Sequence, residues 1–252
     1  MPTYQILPAM KERLDKLVCE RGLAESREQA KRLILAGLVL VNAQKIDKAG
    51  TLIPEDADIR LLGQEHPYVG RGGLKLEKAL HEFQIDPTGK VAIDVGASTG
   101  GFTDCLLQHG AKKVYAVDVG YGQLAWKLLN NPRVIPRERT NVRYLTPEDF
   151  PEQMDMAVID LSFISITKIL EPIQRLLKPR ADVIALVKPQ FEVGKGEVGK
   201  GGIVKSPEKH QRVLQEVREY AERLGFEFKG MLESPIKGAK GNTEFLMYVL
   251  NA

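Results

Sequence analysis

The chain has 252 residues, 36 Lys and Arg against 33 Asp and Glu, and a formal net charge of +3. That length holds one large domain, or a small one joined to a medium one, and a hydrophobic content of 43% with 27% charged residues is ordinary for a soluble globular chain. The two cysteines, Cys19 and Cys105, lack metal-ligand spacing, MPTYQILPAM lacks the regions of a signal peptide, and no apolar run approaches the roughly 20 residues of a membrane helix, so the expectation is a cytoplasmic protein with reduced thiols and no metal.

Residues 1–10 carry no periodicity and read as a lead-in. From Lys11 onward Leu14, Leu17 and Val18 put an apolar stripe on one helical face, beginning beside Arg13, and Gly22 ends that helix. Ser26, with Gln29 three residues on, caps a second helix that runs to about Leu35 with Ala30, Leu33 and Ile34 inward. Gly37 stops it, LVLVN follows as a strand, and short strands and turns fill residues 44–62.

Between Lys11 and Lys48, nine Lys or Arg stand against six Asp or Glu, an excess as large as the net charge of the whole chain. Arg27, Lys31 and Arg32 sit at helical spacings that form a basic edge for an RNA backbone; a solvated mixed-charge face is the plainer reading of the same spacing. The segment RLDKLVCERGLAESREQAKRLILAGLVLVNAQKI closely resembles the S4-type RNA-binding domain. The RLD opening, the SR start of the second helix and the final G-x-V-x-V-N carry that resemblance. It implies RNA contact, with Arg13 and Lys16 joining Arg27, Lys31 and Arg32.

Residues 63–70, GQEHPYVG, are Gly, Pro and polar and read as an interdomain linker. RGGLKLEKALHEFQI then starts a helix with Leu74, Ala79, Leu80 and Phe83 on its apolar face. Lys75 and Lys78 fall on other faces, where a lysine is ordinarily solvated.

Val91 to Val95 is a short apolar run, read as a strand buried on both faces, and Gly96, Gly100 and Gly101 punctuate the loop after it. Phe102, Leu106 and Leu107 then continue as a helix. Strand, glycine loop and helix bring backbone N–H groups close to a nucleotide-like ligand. KKVYAVDVG places Asp118 at the end of a second buried strand, where a carboxylate accepts hydrogen bonds from ribose hydroxyls. Ser98 stands where the dinucleotide pattern G-x-G-x-x-G needs its second glycine, which disfavours a dehydrogenase. The pattern D-x-G-x-x-x-G-G from Asp94 instead resembles the S-adenosylmethionine (SAM) loop of class I methyltransferases. That resemblance implies cofactor contacts from Asp94, Gly96, Ala97, Ser98, Thr99, Gly100, Gly101 and Phe102, with Asp118 and Val119 from the next strand. By position after the third strand, RVIP, Asn141 and Val142 flank the adenine; a polar turn explains them equally well. Trp126, in the short helix of GYGQLAWKLL, reads as core.

MDMAVIDLSFIS is a fourth buried strand ending at Asp160, followed by a helix over about residues 165–177. ADVIALVKPQF is a fifth, ending at Lys188 before Pro189, which keeps the chain extended there. EVGKGEVGKGGIVKSP reads either as a solvated connection or as a basic loop suited to an RNA backbone. Ser206-Pro207 opens an amphipathic helix to about Leu224, and two strands, an antiparallel pair, close the chain with Glu244 at the start of the last.

RGGLKL, DLSFIS, VKPQFEVGKG and GNTEF resemble the blocks that hold the Lys-Asp-Lys-Glu tetrad of FtsJ-like ribose 2′-O-methyltransferases, here Lys75, Asp160, Lys188 and Glu244. Over essentially its whole length the chain resembles the hemolysin A (TlyA) family of ribosomal RNA methyltransferases. The implied fold is a class I, Rossmann-like α/β sheet with helices on both faces over residues 71–252, preceded by a small α+β S4-type domain over residues 1–62. The implied cofactor is SAM, also contacted by Asp160; the implied partner is ribosomal RNA or a ribosomal subunit, with no membrane and no metal. A ribose hydroxyl must lose its proton as the methyl arrives, and a lysine with a second positive charge beside it suits that task in its neutral form. Lys188 takes that role, with Lys75 as the neighbouring charge and Asp160 and Glu244 orienting the lysines. Two other classes stay open: an RNA-binding ribosome-assembly factor whose methyltransferase fold does not turn over, and a membrane-active hemolysin.

Overall fold

The computed structural model describes residues 11–24, 26–62, 66–194 and 196–252, so the lead-in and the first half of the expected linker lie outside the described residues. β1 (Lys11–Arg13) leads into α1 (Leu14–Glu20) and α2 (Arg27–Leu35), and β2 (Val39–Val41), β3 (Gln44–Lys45), β4 (Leu52–Pro54) and β5 (Ile59–Leu61) follow. The helical stripe expected from Lys11 begins three residues late, because Lys11, Glu12 and Arg13 pair antiparallel with Pro54, Ile53 and Leu52. A partner that distant in sequence leaves no mark on local periodicity. Leu14, Leu17, Val18, Ala30 and Ile34 form the apolar centre with Val39, Val41, Ile53 and Ile59, and Leu33 is only partly covered. The Ser26 side chain accepts from the Gln29 N–H, as its cap position requires.

The second half of the expected linker is packed rather than free. Tyr68 is buried, its hydroxyl donates to Glu77 Oε1 at 2.6 Å, and the Val69 N–H donates to Asp104 Oδ2 at 2.9 Å. From there the chain forms α3 (Gly72–Glu82), β6 (Val91–Val95), α4 (Gly101–Gln108), β7 (Lys113–Val117), α5 (Trp126–Leu129), β8 (Val134–Arg137), β9 (Met154–Ile159), α6 (Thr167–Gln174), β10 (Leu177–Val187), α7 (Pro189–Glu192), α8 (Pro207–Arg223), β11 (Glu227–Glu233) and β12 (Phe245–Leu250).

One sheet carries the order β11-β12-β10-β9-β6-β7-β8, with β6 to β10 parallel and β12 antiparallel to both neighbours, a Rossmann-like sheet with the expected antiparallel closing pair. Alternation along β6 sorts the two layers. Val91, Ile93 and Val95 pack with Ile169, Ile173, Val213 and Val217 of α6 and α8, whereas Ala92 packs with Leu76, Leu80 and Leu106 of α3 and α4. Each Val, Ile or Leu side chain among these contributes roughly 1.5–3 kcal/mol on full burial, so both faces have to be covered. The chain winds from β6 out to β8, then crosses back to β9 on the other side of β6. That reversal makes the crevice between β6 and β9 the place where an open α/β sheet binds ligands.

Three local readings change. α6 is shorter than expected. β10 begins before Ala181 and shifts register between Leu177 and Asp182. Trp126 is not core: it is 58% exposed, because Leu128 takes the inward face of this single turn and Leu124, just before it, is buried as well. Among the described residues, no helix is long and apolar enough to cross a membrane.

Candidate active site

Four parallel strands end at one edge, and each hands the chain to a residue singled out by the sequence: Gly96 after β6, Asp118 after β7, Asp160 after β9 and Lys188 after β10. β12 runs the other way, so its beginning lies at that same edge. Phe245 pairs with Val187, which brings Glu244 alongside Lys188. Lys75, one turn into α3, enters from the layer above.

The four side chains meet. Lys188 Nζ lies 2.6 Å from Asp160 Oδ1, Lys75 Nζ lies 2.7 Å from Glu244 Oε2, and Lys75 Nζ is 3.8 Å from Asp160 Oδ2. Asp160 therefore stands between two ammonium groups. Lys75 and Lys188 are each 7% exposed and Glu244 only 2%. Two buried cations are neutralised by buried Glu244 and by half-buried Asp160, which is the condition for burying them at all. Lys75, read from periodicity as a solvated position, is buried because Glu244 waits for it across 169 residues of chain. Gly238 closes over Glu244: a Cβ there would stand 1.9 Å from Oε1, so a larger residue would have to displace this carboxylate.

Two cavities share Gly96 and Ser162, and the larger of them opens on the cluster. One, of about 190 Å³, is lined by Asp118, Val119, Asn141, Val142, Arg143 and Leu161 among others. The other, of about 370 Å³, is lined by Gly70, Arg71, Lys75, Ala97, Ser98, Thr99, Gly101, Phe102, Asp160 and Lys188 among others. Gly96, at φ +87°, permits the close approach between them, since a Cβ would meet the Asp160 carbonyl oxygen at 2.4 Å. Ser98 adopts φ +48°, a conformation rare for anything but glycine, asparagine and aspartate. Its N–H donates to Asp118 Oδ2 at 2.8 Å, and the Gly120 N–H donates to Oδ1 at 2.7 Å. Asp118 thus pins the loop at the place where a second glycine was missing, while each of its oxygens keeps a lone pair for a ligand hydroxyl.

Asp94 lies beneath the loop, wholly buried, and lines neither cavity. It shares the sheet face of Ala92, so it points toward α4, where Thr103 Oγ1 donates to Oδ2 at 2.6 Å. Oδ1 has no hydrogen-bond partner among the described residues. Burial, against the opposing Thr103 hydrogen bond, pushes its carboxyl up to about 7, and the nearby Asp160 and Asp118 charges add to the rise. Gly100 closes the turn into α4, and Asn141 turns its side chain to the Arg143 N–H at 3.2 Å while remaining at the smaller cavity's wall.

The basic candidates of the first unit are organised by one acid. Asp15 is fully buried, and Arg13 Nε and Arg27 Nη2 both stand 3.0 Å from its carboxylate. Arg13 is the first cause holding the Asp15 carboxyl down at about 2, ahead of the opposing effect of burial. Lys16 pairs with Glu12, Lys31 lies 2.7 Å from Glu28, and Arg32 is exposed. The RLD and SR motifs are thus two ends of one clamp, which fixes the attitude of two half-exposed guanidinium groups.

Two residues at the site carry no signal in periodicity or spacing. Ser162 accepts from Lys188 Nζ at 3.0 Å and lines both cavities. Phe163 adopts φ +65° and leaves its ring 91% exposed at the rim. A bulky residue in left-handed backbone is costly and marks a functional position more often than a packing one. An aromatic three residues after a strand-ending acid was the available clue. Among the described residues no group of three or more His, Cys, Asp or Glu is placed to hold a metal ion.

With this geometry in hand, the comparisons with known proteins agree on both halves of the chain. Residues 12–59 match the S4 domain family and residues 68–250 match the FtsJ-like methyltransferase family. The chain is 53% identical over 244 residues to YqxC of Bacillus subtilis (strain 168), covering 96% of this chain and 87% of that protein. It is 44% identical over 242 residues to the 16S/23S rRNA (cytidine-2′-O)-methyltransferase TlyA of Mycobacterium tuberculosis (strain ATCC 25618 / H37Rv), covering 96% and 90%. Among solved structures, a Streptococcus thermophilus protein provisionally named a hemolysin superposes with a TM-score of 0.74 at 48% identity, covering 95% of this chain and 88% of the other.

Proposed function

Because the chain belongs to the TlyA family of FtsJ-like methyltransferases with an amino-terminal S4 domain, we propose that it transfers a methyl group from SAM to a ribose 2′-hydroxyl of ribosomal RNA, at cytidine. The observation that carries this reading is the Lys75, Asp160, Lys188 and Glu244 cluster, three of whose members line the larger cavity next to the one that Asp118 lines.

SAM fits the smaller cavity and the loop beside it. Asp118 offers two carboxylate oxygens for the ribose hydroxyls, Val119, Asn141 and Val142 offer walls for the adenine, and Gly96, Ala97, Ser98 and Thr99 line the route toward the tetrad. When bound, SAM supplies an electrophilic sulfonium methyl group. Asp94 supports the loop from below through Thr103 rather than by contact.

The chain's own groups do the rest. Lys188, paired as an ammonium with Asp160 at rest, first releases a proton to solvent; its amine then accepts the 2′-hydroxyl proton as the oxygen attacks, and Asp160 and Ser162 fix the direction of that amine. Lys75, anchored by Glu244, keeps a positive charge beside the forming oxyanion. Placement and electrostatics then supply most of the rate. Phe163 offers an exposed aromatic face at the rim for the base of the target nucleotide.

RNA is held at two places. Residues 1–62 present Arg13, Lys16, Arg27, Lys31 and Arg32. Residues 71–252 present Lys200, Lys205 and Lys240 on two loops joined by the buried Asn242, which accepts from the Val204 N–H at 3.0 Å and donates to the Gly202 carbonyl at 2.9 Å. Residues 63–70 join the two parts.

The test is incubation of the full chain with methyl-labelled SAM and separated ribosomal subunits, followed by mapping of the label. The expected product is a 2′-O-methylcytidine. Label on a base, or persistence of labelling on RNA whose target residue is 2′-deoxy, would sink the assignment; no transfer to either subunit would favour a non-catalytic assembly factor.

A further inference from the structure

α7 is a single helical turn, closed by Phe191 N–H to the Lys188 carbonyl at 2.8 Å and Val193 N–H to the Pro189 carbonyl at 3.0 Å. Lys188 is the extended residue that caps this turn, and Phe191 and Glu192 follow it three and four residues on. All three reach one loop, residues 160–166. Lys188 takes the near end, at Asp160 and Ser162. Phe191 takes the middle, its ring 5.1 Å from that of Phe163 at an interplanar angle of 48°. Glu192 takes the far end: Oε1 accepts the Ile166 N–H at 2.9 Å and Oε2 accepts the Ser165 hydroxyl at 2.6 Å.

Of these three only Lys188 faces the reaction. Glu192 lines neither cavity, so it cannot touch a substrate seated there. Burial raises its carboxyl above the ordinary range against the pull of its two donors, so this partly buried acid is held where solvent alone would not favour it. What it holds is the strained stretch of the site. Left-handed backbone at Phe163 persists only where its surroundings over-determine it, and the attachments on either side of Phe163 are the ones just described.

We propose that Glu192 is a positioning residue for methyl transfer: by clamping Ser165 and Ile166 it holds Ser162 and Phe163 in the attitudes that the target nucleotide meets. The proposal rests on the ribose-methylation reading above. A carboxylate at the start of α6 also supports that helix, so the test must separate placement from stability.

Full-length wild type, Glu192→Ala and Glu192→Gln are compared in single-turnover transfer to ribosomal subunits, in SAM affinity by calorimetry, and in amide exchange across the chain. Glutamine keeps an acceptor for the Ile166 N–H and lets the Ser165 hydroxyl turn to accept from the amide. Glu192→Ala is expected to slow transfer about 10–100-fold, the scale of a small misplacement, with SAM affinity within about twofold and faster exchange confined to residues 161–167. Glu192→Gln is expected to return the rate to within about threefold of wild type. Should the alanine variant fold poorly, Ser165→Ala removes half the clamp and is expected to slow transfer by about 3–10-fold. Transfer at the wild-type rate in Glu192→Ala, or SAM affinity falling as far as the rate, or a slow Glu192→Gln, each overturns the proposal. Failure of the ribose-methylation reading looks different: wild type itself would transfer nothing, while the exchange comparison would still report whether Glu192 holds the loop.

Discussion

Lys188→Ala is the perturbation that discriminates most. In the structure Lys188 Nζ is bonded to Asp160 Oδ1 at 2.6 Å and Ser162 Oγ at 3.0 Å, and it lines the larger cavity but not the smaller one that suits adenosine. Removing it takes nothing from the walls around Asp118, so SAM affinity should stay within about twofold; its loss should appear in the transition state alone. Proton transfer by a placed group is worth about 10²–10⁴ in rate, or about 3–5 kcal/mol of barrier. Asp160 would keep Lys75, at 3.8 Å, as its remaining cation, so the fold should survive. The assay is single-turnover transfer of labelled methyl to ribosomal subunits, with calorimetry for SAM on the same preparations. Lys188→Arg separates two roles: a guanidinium restores the charge but cannot give up its proton near neutral pH, so it should not restore the rate. A Lys188→Ala chain that turns over normally refutes the assignment, and rescue by arginine reduces Lys188 to a fixed charge.

Asp118→Ala should lose about 1–3 kcal/mol of SAM affinity, the weight of charge-assisted hydrogen bonds, and unchanged calorimetry on a folded variant would remove Asp118 from the site. Reversing Lys31 and Arg32 to Glu should weaken rRNA binding and flatten its dependence on salt by about one logarithmic unit per lost phosphate contact; these two are chosen because Arg27→Glu would set a second carboxylate against buried Asp15. Asp94 titrates at about 7 in the fold and roughly 4 when unfolded, so its contribution to stability is complete below the unfolded value and is lost as pH rises through 7. Glu is too long for that site, whereas Asp94→Asn cannot ionise, so the melting temperature of Asn relative to wild type should climb between pH 5 and 8; a difference independent of pH would contradict the buried, proton-holding state.

Asp160 and Lys188 were legible because each closes an apolar run with a charge, an unusual ending for a buried strand, whereas Lys75 and Glu244 were reached only through the resemblance of their sequence blocks to a known tetrad. Asp118 and the glycine loop were legible, like Asp160, as the ending of such a run, and Ser26 with Gln29 announced a helix start through the chemistry of its cap. These are local signals: alternation, punctuation and capping are written into neighbouring residues and need no partner. Everything that needed a partner waited for the tertiary structure. β1 was hidden because its mate is β4, and Lys75 looked solvated because its counter-ion lies 169 residues away. Trp126 looked like core because size favours burial, and only the packing of Leu124 and Leu128 shows which face of the turn is inward. The left-handed backbone at Phe163 and the three-residue grip of α7 are likewise set by packing across the sheet edge. Local sequence determined the elements and the charges at their ends; sheet register, by bringing the start of antiparallel β12 to the ends of the parallel strands, decided that those charges meet.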